Sequence, residues 1–421
     1  MVARHSISAR VVNAAVAVAA TLMLIPARAV AQTAGEFFAG QSVEDVWVHI
    51  NSRDWQLLRS QFQLNTFYPC DVQWRSVRVY NAGCRSRGSG SRNPIKPGLD
   101  IDFDRYVSGQ RFLGFAELVL DNLWQDPSML QERLTMWAFQ RVGVPAPREA
   151  HIKLFVGGDR RFMGVYTAVE AIDSTFLARA FGTPGAYLYE YRWVDVYNFE
   201  NLGNELEPYA ARFAPRTHEN ESTFALYAPI RDLVALINDA PLDRIGEALD
   251  LRLLTSQLAV ENYVSDWDGL LGYAGLNNFY LTLTPGAAAR VIPWDKDVEF
   301  VDFALPPWHN VEFNVLARKI WDDPTVVRQY LRVLLDLSNL GQALQDEFQR
   351  EASQIDAFAH ADPLKAQTNA EYDAAVEHLR AFLRDRPAIV RDYVNRLAPD
   401  LATEPVSGVS GSSRFRNPGS R

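Results

Sequence analysis

The sequence predicts an α+β protein with two lobes, a β-rich N-terminal lobe followed by a mainly helical C-terminal lobe. Between residues 43 and 120, short runs of β-branched and aromatic residues alternate with turn residues, which is typical of strands. In the second half of the chain, apolar residues recur near helical spacing through several long segments. With 421 residues and a hydrophobic content of 48%, the chain can bury a substantial core.

The first 31 residues are expected to form a secretory signal peptide that is not part of the fold. Arg4 and Arg10 precede a largely apolar run at 11–25, and the small residues that follow suit cleavage after Ala31. The run is shorter than the ~20 apolar residues that a membrane-spanning helix needs. We therefore expect a secreted or periplasmic protein with no membrane span after cleavage.

The charge of the chain argues against a nucleic-acid partner. The formal net charge is −9, and loss of the three arginines of the predicted signal peptide lowers it to −12. Because nucleic-acid phosphates repel a protein of this charge, we expect no binding to DNA or RNA.

Composition and patterning divide the rest of the chain into four parts. They are a loose leader at 32–41, the β-rich lobe at 42–180, the helical lobe at 181–400 and a tail at 401–421. The tail is rich in Ser, Gly, Pro and Arg without apolar periodicity, which predicts disorder.

The N-terminal lobe is predicted to contain several strands and one clear helix. The strand-like segments include 46–50, 77–80 and 99–103. A helix follows, because Asp126 can cap it, Pro127 suits its first turn and Gly143 can end it. Two more strands, at 151–156 and 162–169, are joined by a glycine-containing turn.

The two cysteines, Cys70 and Cys84, flank a strand-like segment. In the oxidising compartment that the signal peptide predicts, they are expected to form a disulfide across a hairpin. Two thiols without a nearby histidine pair do not suit a metal site.

The C-terminal lobe is predicted to be helical apart from one hairpin. The segments with helical periodicity are 233–237, 251–264, 326–337, 340–348, 372–383 and 389–397. The hairpin joins a strand at 278–283 to a second at 290–292 through Thr284-Pro285-Gly286.

Acidic and amide side chains are densest between residues 266 and 297. The first of them, Asp266 and Asp268, lie in a loop after a predicted helix. Asn277 and Asn278 stand at the start of a predicted strand, and Asp295 and Asp297 follow the next strand. Phosphoryl transfer needs such a set. One carboxylate orients or deprotonates the attacking hydroxyl, while an Asn and a second Asp hold Mg²⁺ or Mn²⁺ against nucleotide phosphates. Protein kinases place these groups in the same order, although the His-Arg-Asp and Asp-Phe-Gly motifs are absent here.

Several segments in this order resemble the signatures of the CotH (spore coat protein H) kinase family, an atypical branch of the protein kinase-like fold. The central ones are Trp267-Asp268-Gly269, Asn278-Phe279-Tyr280-Leu281 and Ile292-Pro293-Trp294-Asp295-Lys296-Asp297. Upstream matches are Arg87-Gly88-Ser89-Gly90-Ser91, Asp126-Pro127-Ser128, Gly143-Val144-Pro145-Ala146 and Gly164-Val165-Tyr166 with Glu170. Together they span roughly residues 43–397.

The resemblance implies an atypical two-lobed kinase that uses ATP and Mg²⁺ or Mn²⁺ to phosphorylate Ser or Thr of exported or surface proteins. It implies that Asp268 is the catalytic carboxylate and Asp295 the principal metal ligand. Asn278 is expected to be a second ligand, with Asp297 contributing. The catalytic and metal loops would then lie in the C-terminal lobe.

A kinase also needs a cation on the nucleotide phosphates, held by a glutamate of the N-terminal lobe. Lys96 is predicted to be this cation because it follows the segment that resembles the family's Arg-Gly-x-x-Ser. Glu170 is predicted to be its partner, with Glu132 on the first helix as the alternative. The segment before Lys96 brings further candidate phosphate-binding groups, namely Arg87, Ser89 and Ser91.

Two other functions compete with this prediction. A non-catalytic envelope or surface protein could keep the same scaffold for binding, although such a protein has no need of Asp268, Asn278 and Asp295 together. A glycoside hydrolase is suggested by paired carboxylates, ten tryptophans and export, and would have no need of Lys96.

Overall fold

The computed structural model describes residues 32–401, in which a closed β-barrel is followed by a mainly helical part. The predicted signal peptide and the predicted tail after Leu401 lie outside the described residues. In the described range, no helix is both long enough and apolar enough to cross a bilayer.

Seven strands form the barrel: β1 (Glu44–Ile50), β2 (Tyr68–Trp74), β3 (Val77–Arg87), β4 (Gly98–Asp102), β5 (Glu117–Asp121), β6 (Glu149–Val156) and β7 (Arg161–Glu170). Their order around the barrel is β1-β2-β3-β4-β5-β7-β6, and a parallel pairing of β1 with β6 closes it. Val46 and Val48 are enclosed in its interior because alternate residues of a strand face the same side.

These strands include the ones that the sequence predicts at 46–50, 77–80 and 99–103. The predicted hairpin around 157–159 is formed by β6 and β7. The predicted disulfide between Cys70 and Cys84 is confirmed, and it links β2 to β3.

The segment 32–41, predicted to be a loose leader, is packed against the barrel through Phe37 and Phe38. They include the short helix α1 (Ala34–Phe37). The Phe37 ring is 1% exposed and makes edge contacts with the rings of Trp74 and Phe112 at 5.2 and 5.6 Å. Burial of aromatic side chains therefore holds this segment on the barrel. Its short length and its composition did not predict this packing.

Two helices interrupt the barrel strands, α2 (Ser52–Ser60) and α3 (Gln131–Arg141). The sequence predicts that α3 begins near Pro127, but it begins four residues later. Asp126 accepts hydrogen bonds from the backbone of Ser128 and of Gln131, both within 2.8 Å. Met129 has φ = 59°, a left-handed conformation that a continuous helix cannot contain.

The helices that follow the barrel are α4 (Ser174–Phe181), α5 (Glu207–Arg212), α6 (Thr223–Asp239), α7 (Leu242–Ala248), α8 (Leu251–Tyr263), α9 (Val315–Trp321), α10 (Pro324–Asn339), α11 (Gly341–His360) and α12 (Asn369–Leu397). The two helices predicted at 372–383 and 389–397 are both parts of α12, which continues through Pro387. The buried Arg386 donates to the carbonyls of Tyr263 and Asn262 at 3.0 and 2.8 Å, which fixes α12 against the end of α8.

A four-stranded sheet lies within the helical part. It contains β8 (Tyr187–Tyr191), β9 (Phe213–Pro215), β10 (Phe279–Leu283) and β11 (Arg290–Pro293), in the order β11-β10-β8-β9. The hairpin of β10 and β11 matches the predicted one, whereas β8 and β9 were not predicted.

A small apolar cluster joins this sheet to the barrel. It contains Val119 from β5, Val169 from β7, Ile172 just after β7, Tyr280 from β10 and Trp294 just after β11. Because barrel and sheet share these side chains, the ends of β3 and β5 lie close to the loop that follows β11.

Candidate active site

The loop after α8 brings Asp268 into contact with two asparagines. Its Oδ1 accepts a hydrogen bond from Asn277 Nδ2 at 2.9 Å, and its Oδ2 accepts one from Asn278 Nδ2 at 3.0 Å. Burial raises the pKa of Asp268, while the amide of Asn277 opposes this shift. Asn278 has φ = 54°, a conformation that asparagine tolerates better than most residues. The structure thus brings together two of the predicted site residues.

A buried lysine holds this loop in place. Lys296 Nζ lies 2.7 Å from Asp266 Oδ2 and 3.2 Å from Glu261 Oε1, and its side chain is fully enclosed. Glu261 also accepts the backbone N–H of Leu270 at 2.9 Å, and Asp266 accepts that of Asp268 at 2.8 Å. Although burial opposes the charge, Asp266 and Glu261 raise the pKa of Lys296 above its ordinary value. The lysine of the Trp-Asp-Lys-Asp segment therefore positions the Asp268 loop.

Asp295 follows β11 by two residues and belongs to the same electrostatic cluster. Burial raises its pKa to about 6, the carboxylates of Asp121 and Asp268 act in the same direction, and Arg87 opposes them. Arg87 extends from the end of β3, with Nη1 3.5 Å from Asp121 Oδ2 and its guanidinium 5.6 Å from the centre of the Trp294 ring. The ends of β3 and β5 therefore lie close to the loop after β11 at Trp294, next to Asp295 in the chain.

Asp297 is also buried, at 9% exposure. Burial raises its pKa well above the ordinary value, and Asp295 and Asp121 add to the shift. Because Asp297 and Asp295 are both buried and carry the same charge, a cation bound next to them would be strongly favoured.

In the described part of the chain, Asp268, Asp295 and Asp297 do not form a closed cage for a cation. In the described residues, a group of His and Asp side chains with all ligand atoms within 4.8 Å of one another occurs elsewhere, at Asp356, His360 and Asp373 on the surface of α11 and α12. A cation held by Asp295 and Asn278 would therefore need phosphate and water oxygens, which is the usual coordination of Mg²⁺ in nucleotide sites.

A polar cleft between the barrel and the second sheet adjoins Asp295. It is lined by Arg85, Arg87, Val119, Ile172, Tyr280 and Trp294, among others. The ion pair of Arg216 with Glu117, at 3.2 Å, crosses it, and that of Arg85 with Asp100, at 2.5 Å, lies on its barrel side. Its free volume is about 50 Å³, well below the 300–1,000 Å³ of small-molecule sites, so a nucleotide would have to widen it.

Lys96 is not among the residues that line this cleft. Its Nζ is 2.8 Å from Asp362 Oδ2, and 5.0 Å from the centre of the Tyr166 ring. Burial lowers the pKa of Lys96 and Asp362 opposes the shift. The prediction that Lys96 pairs with Glu170, or alternatively with Glu132, is wrong in this structure, because Asp362 occupies the partner position.

Glu170 and Glu132 have other surroundings. Glu170, at the end of β7, forms ion pairs with Arg148 and Arg179, each at 2.7 Å. These pairs fix the backbone just before Ile172, which lines the cleft. Glu132 lies in the first turn of α3, is 3% exposed, and has a carboxylate oxygen, Oε2, without a hydrogen-bond partner in the described structure.

The loop between β3 and β4 contains Ser89 and Ser91. The Ser91 carbonyl accepts hydrogen bonds from the side-chain amides of Asn93 and Asn122 at 2.8 and 3.0 Å. Ser89 is exposed. The phosphate contacts predicted for these serines remain predictions.

Comparison with known proteins identifies the family of the chain. The model of the CotH kinase protein family matches residues 84–390. The inner spore coat protein H of Bacillus subtilis (strain 168) is 23% identical over 330 residues, which cover 74% of this chain and 86% of the spore coat protein. The matched range includes Arg87, Asp268 and Asp295. The chain belongs to the CotH kinase protein family.

Proposed function

We propose that the protein is an exported atypical kinase that transfers the γ-phosphate of ATP to Ser or Thr hydroxyls of exported or surface proteins. The observation that carries this proposal is the position of Asp268, held by Asn277 and Asn278 in the electrostatic cluster of Asp295. The barrel would serve as the N-terminal lobe of a kinase and the helical part as its C-terminal lobe. The predicted signal peptide and the name of the Bacillus relative support export.

Asp268 would orient the acceptor hydroxyl and accept its proton. Its second carboxylate contact, to Asn277, keeps the side chain in one orientation before the acceptor arrives. The raised pKa of Asp268 brings it nearer to that of a useful general base than an exposed aspartate would be.

Asn278 and Asp295, with Asp297 behind them, would hold Mg²⁺ or Mn²⁺. Their hard oxygen atoms fit these ions, and burial of two carboxylates with one nearby arginine leaves negative charge for a cation to offset. The ion would neutralise charge on the transferred phosphoryl group. Arg87 would add a guanidinium, because it pairs with Asp121 at 3.5 Å and acts electrostatically on Asp295.

The cleft offers apolar walls for a nucleotide base in Val119, Ile172 and Tyr280. Access requires that Arg85 and Arg216 exchange their carboxylate partners for phosphate oxygens. Such an exchange replaces one charge-assisted contact with another and can accompany widening of the cleft.

A transfer assay with γ-labelled ATP, MnCl₂ and a Ser-rich acceptor protein tests the proposal. Asp268→Asn is expected to lower the rate by about 10²–10⁴ while ATP still shifts the melting temperature. Asp295→Asn is expected to lose both the transfer and the Mn²⁺-dependent part of that shift. Asp346→Asn, an exposed carboxylate on α11, is the control. Transfer that survives either of the first two substitutions would contradict the proposed roles.

The narrow cleft favours a second candidate, a non-catalytic scaffold of an envelope or surface layer. Melting curves separate the two. ATP with Mn²⁺ would leave the melting temperature of a scaffold unchanged, whereas stabilisation by oligosaccharides alone would indicate a glycosidase.

A further inference from the structure

The loop that carries Asp268 presents exposed aromatic rings beside the proposed active site. Trp267 directly precedes Asp268 and is 40% exposed, and Tyr273, in the same loop, is 86% exposed. Trp193, in the segment after β8, is 50% exposed. Large aromatic side chains are usually buried, and a group of exposed ones indicates a binding surface. We call Trp193, Trp267 and Tyr273 the aromatic rim.

Direct contacts join the three residues of the aromatic rim. The Trp267 and Tyr273 rings stack with their centres 6.4 Å apart and 16° between their planes. The backbone N–H of Tyr273 donates to the Trp267 carbonyl at 2.8 Å, and Trp193 Nε1 donates to the Ala274 carbonyl at 3.0 Å. The rings are therefore held in place while much of their apolar surface stays exposed.

The base of this loop is held by the same groups that orient Asp268. Asp268 Oδ1 accepts a hydrogen bond from Asn277 Nδ2 at 2.9 Å, and the backbone N–H of Asn277 donates to the Gly269 carbonyl at 3.2 Å. Because Cα atoms of consecutive residues are about 3.8 Å apart, the aromatic rim begins one residue from the proposed catalytic carboxylate.

An acceptor segment bound at Asp268 can reach the aromatic rim. Its hydroxyl must come within about 2.6–3.2 Å of the Asp268 carboxylate for proton transfer. An extended segment advances about 3.3 Å per residue, so residues within about three positions of the acceptor Ser or Thr lie within about 10 Å of Asp268. The side chains of these residues are the ones that can contact Trp267 and Tyr273.

The chemistry of the aromatic rim favours apolar side chains over charged ones. Stacked aromatic rings gain most from contact with another ring or with an aliphatic side chain. The carboxylate of Asp195, two residues after Trp193, is already paired with Arg212 at 2.5 Å. It is therefore engaged within the chain, and a basic residue of an acceptor would have to displace Arg212 to reach it.

We propose that the aromatic rim binds an aromatic or large aliphatic side chain of the acceptor protein, within three residues of the phosphorylated Ser or Thr. This inference rests on the proposed function and deepens it, because it names a feature of the substrate. In the transfer, the acceptor oxygen bonds to the γ-phosphorus as the bond to the β–γ bridging oxygen breaks, ADP leaves, and Asp268 accepts the hydroxyl proton. The aromatic rim holds the segment that carries the hydroxyl.

A peptide scan with the full chain tests the proposal. Each peptide carries one Ser among Ala and Gly residues, with Phe, Lys or Ala placed in turn at the three positions on either side. With γ-labelled ATP and MnCl₂, we expect Phe at one of these positions to raise kcat/KM about tenfold over Ala, mainly through KM. Lys is expected to give no such gain. Equal kcat/KM for the Phe and Ala peptides, or a larger gain from Lys, overturns the proposal.

Variants of exposed aromatic residues locate the effect. Tyr273→Ala is expected to bring the Phe and Ala peptides within about twofold of each other, whereas Tyr273→Phe keeps the stacked ring and the preference. Because Tyr273 is largely exposed, its removal takes little from the folded core. Phe224→Ala, which removes a ring that is 67% exposed near the start of α6, is the matched control and keeps the preference. A preference for Phe that survives Tyr273→Ala contradicts the proposal.

Binding of a peptide that cannot be phosphorylated separates this inference from the proposed function. With Ala in place of Ser, the fluorescence anisotropy of a labelled Phe peptide is expected to give a Kd about tenfold below that of the Ala peptide, and Tyr273→Ala loses the difference. This preference without phosphoryl transfer would refute the kinase proposal alone, whereas transfer without the preference refutes this inference alone. Displacement of the Phe peptide by cellohexaose would assign the aromatic rim to a polysaccharide and overturn the inference.

Discussion

Lys96 Nζ and Asp362 Oδ2 lie 2.8 Å apart, with their side chains 1% and 0% exposed, and join positions 266 residues apart in the chain. Lys96 lies in the loop before β4 and Asp362 in the loop after α11. Asp362 also accepts the backbone N–H groups of Val165 and Leu364, each at 2.9 Å. This pair therefore fastens the helical part to the barrel.

Asp362→Asn is expected to destabilise the protein by about 3–5 kcal/mol, because it leaves the buried ammonium of Lys96 without a counter-charge. Lys96→Met is expected to cost less, since the carboxylate of Asp362 keeps its two backbone donors. Urea unfolding measures both. Lys153→Met removes the more exposed pair with Asp45 and is expected to cost about 0–1 kcal/mol.

The same variants test the phosphate-binding role that the sequence suggested for Lys96. If Lys96→Met weakens ATP binding strongly while the free energy of unfolding is unchanged, that role is correct and the structural role is wrong.

Arg87→Gln is expected to raise KM for ATP about 10–100-fold, because a charge-assisted contact is worth about 1.5–3 kcal/mol. Steady-state kinetics at saturating acceptor measures this. Arg78→Gln is the matched control, since Arg78 lies on the same strand but pairs with Asp71 at the surface. Equal KM values for the two variants would remove Arg87 from the phosphate site.

Gly269→Ala is expected to disturb the Asp268 loop. The added Cβ would lie 2.3 Å from Asp266 Oδ2 and 2.8 Å from Glu261 Oε2, the two carboxylates that hold Lys296. We expect a loss of about 1–3 kcal/mol in stability and at least a tenfold loss of activity. Gly158→Ala, in the turn between β6 and β7, meets no atom within 4 Å and is expected to be neutral in both assays.

His151 is expected to make stability fall in acid. Its Nε2 lies 2.8 Å from the Met129 carbonyl oxygen, and burial lowers its pKa to about 3, aided by Arg133. The unfolded chain binds a proton below about pH 6.5, but the folded chain does not until about pH 3. The contribution is therefore complete above pH 6.5 and is lost as pH falls towards 3, with about 2 kcal/mol lost between pH 7 and pH 5.

The measurement compares wild type with His151→Gln, whose amide can still donate to Met129. Because the other buried groups titrate in both proteins, their contributions cancel in the difference. A difference in unfolding free energy that stays constant from pH 7 to pH 5 would contradict the assigned shift.

Short-range patterns were enough to predict the Asp268 loop and the hairpin that follows. Asp268, Asn278 and Asp295 lie within 28 residues of one another in the sequence, in the loop before the β10–β11 hairpin, at its start and just after its end. The order of these elements, more than any single motif, carries the information.

Long-range pairing was beyond the reach of sequence patterns. Nothing near Lys96 indicates Asp362, because a buried ion pair depends on how α11 approaches the barrel. Similarly, β8 and β9 are short and separated by a helix, and they are strands because β10 offers β8 an edge to pair with. The start of α3 was misjudged because the left-handed backbone at Met129 has no signature in its own side chain.

The parallel pairing of β1 with β6 has a consequence for biogenesis. Strand β1 leaves the ribosome about a hundred residues before β6, its parallel partner. The barrel can therefore close only after β6 has been synthesised. Until then two strands present unsatisfied backbone groups, which invite association between neighbouring chains. Truncation of the chain beyond Glu44 would leave the barrel open, as a sheet with two exposed edge strands that can pair with other chains.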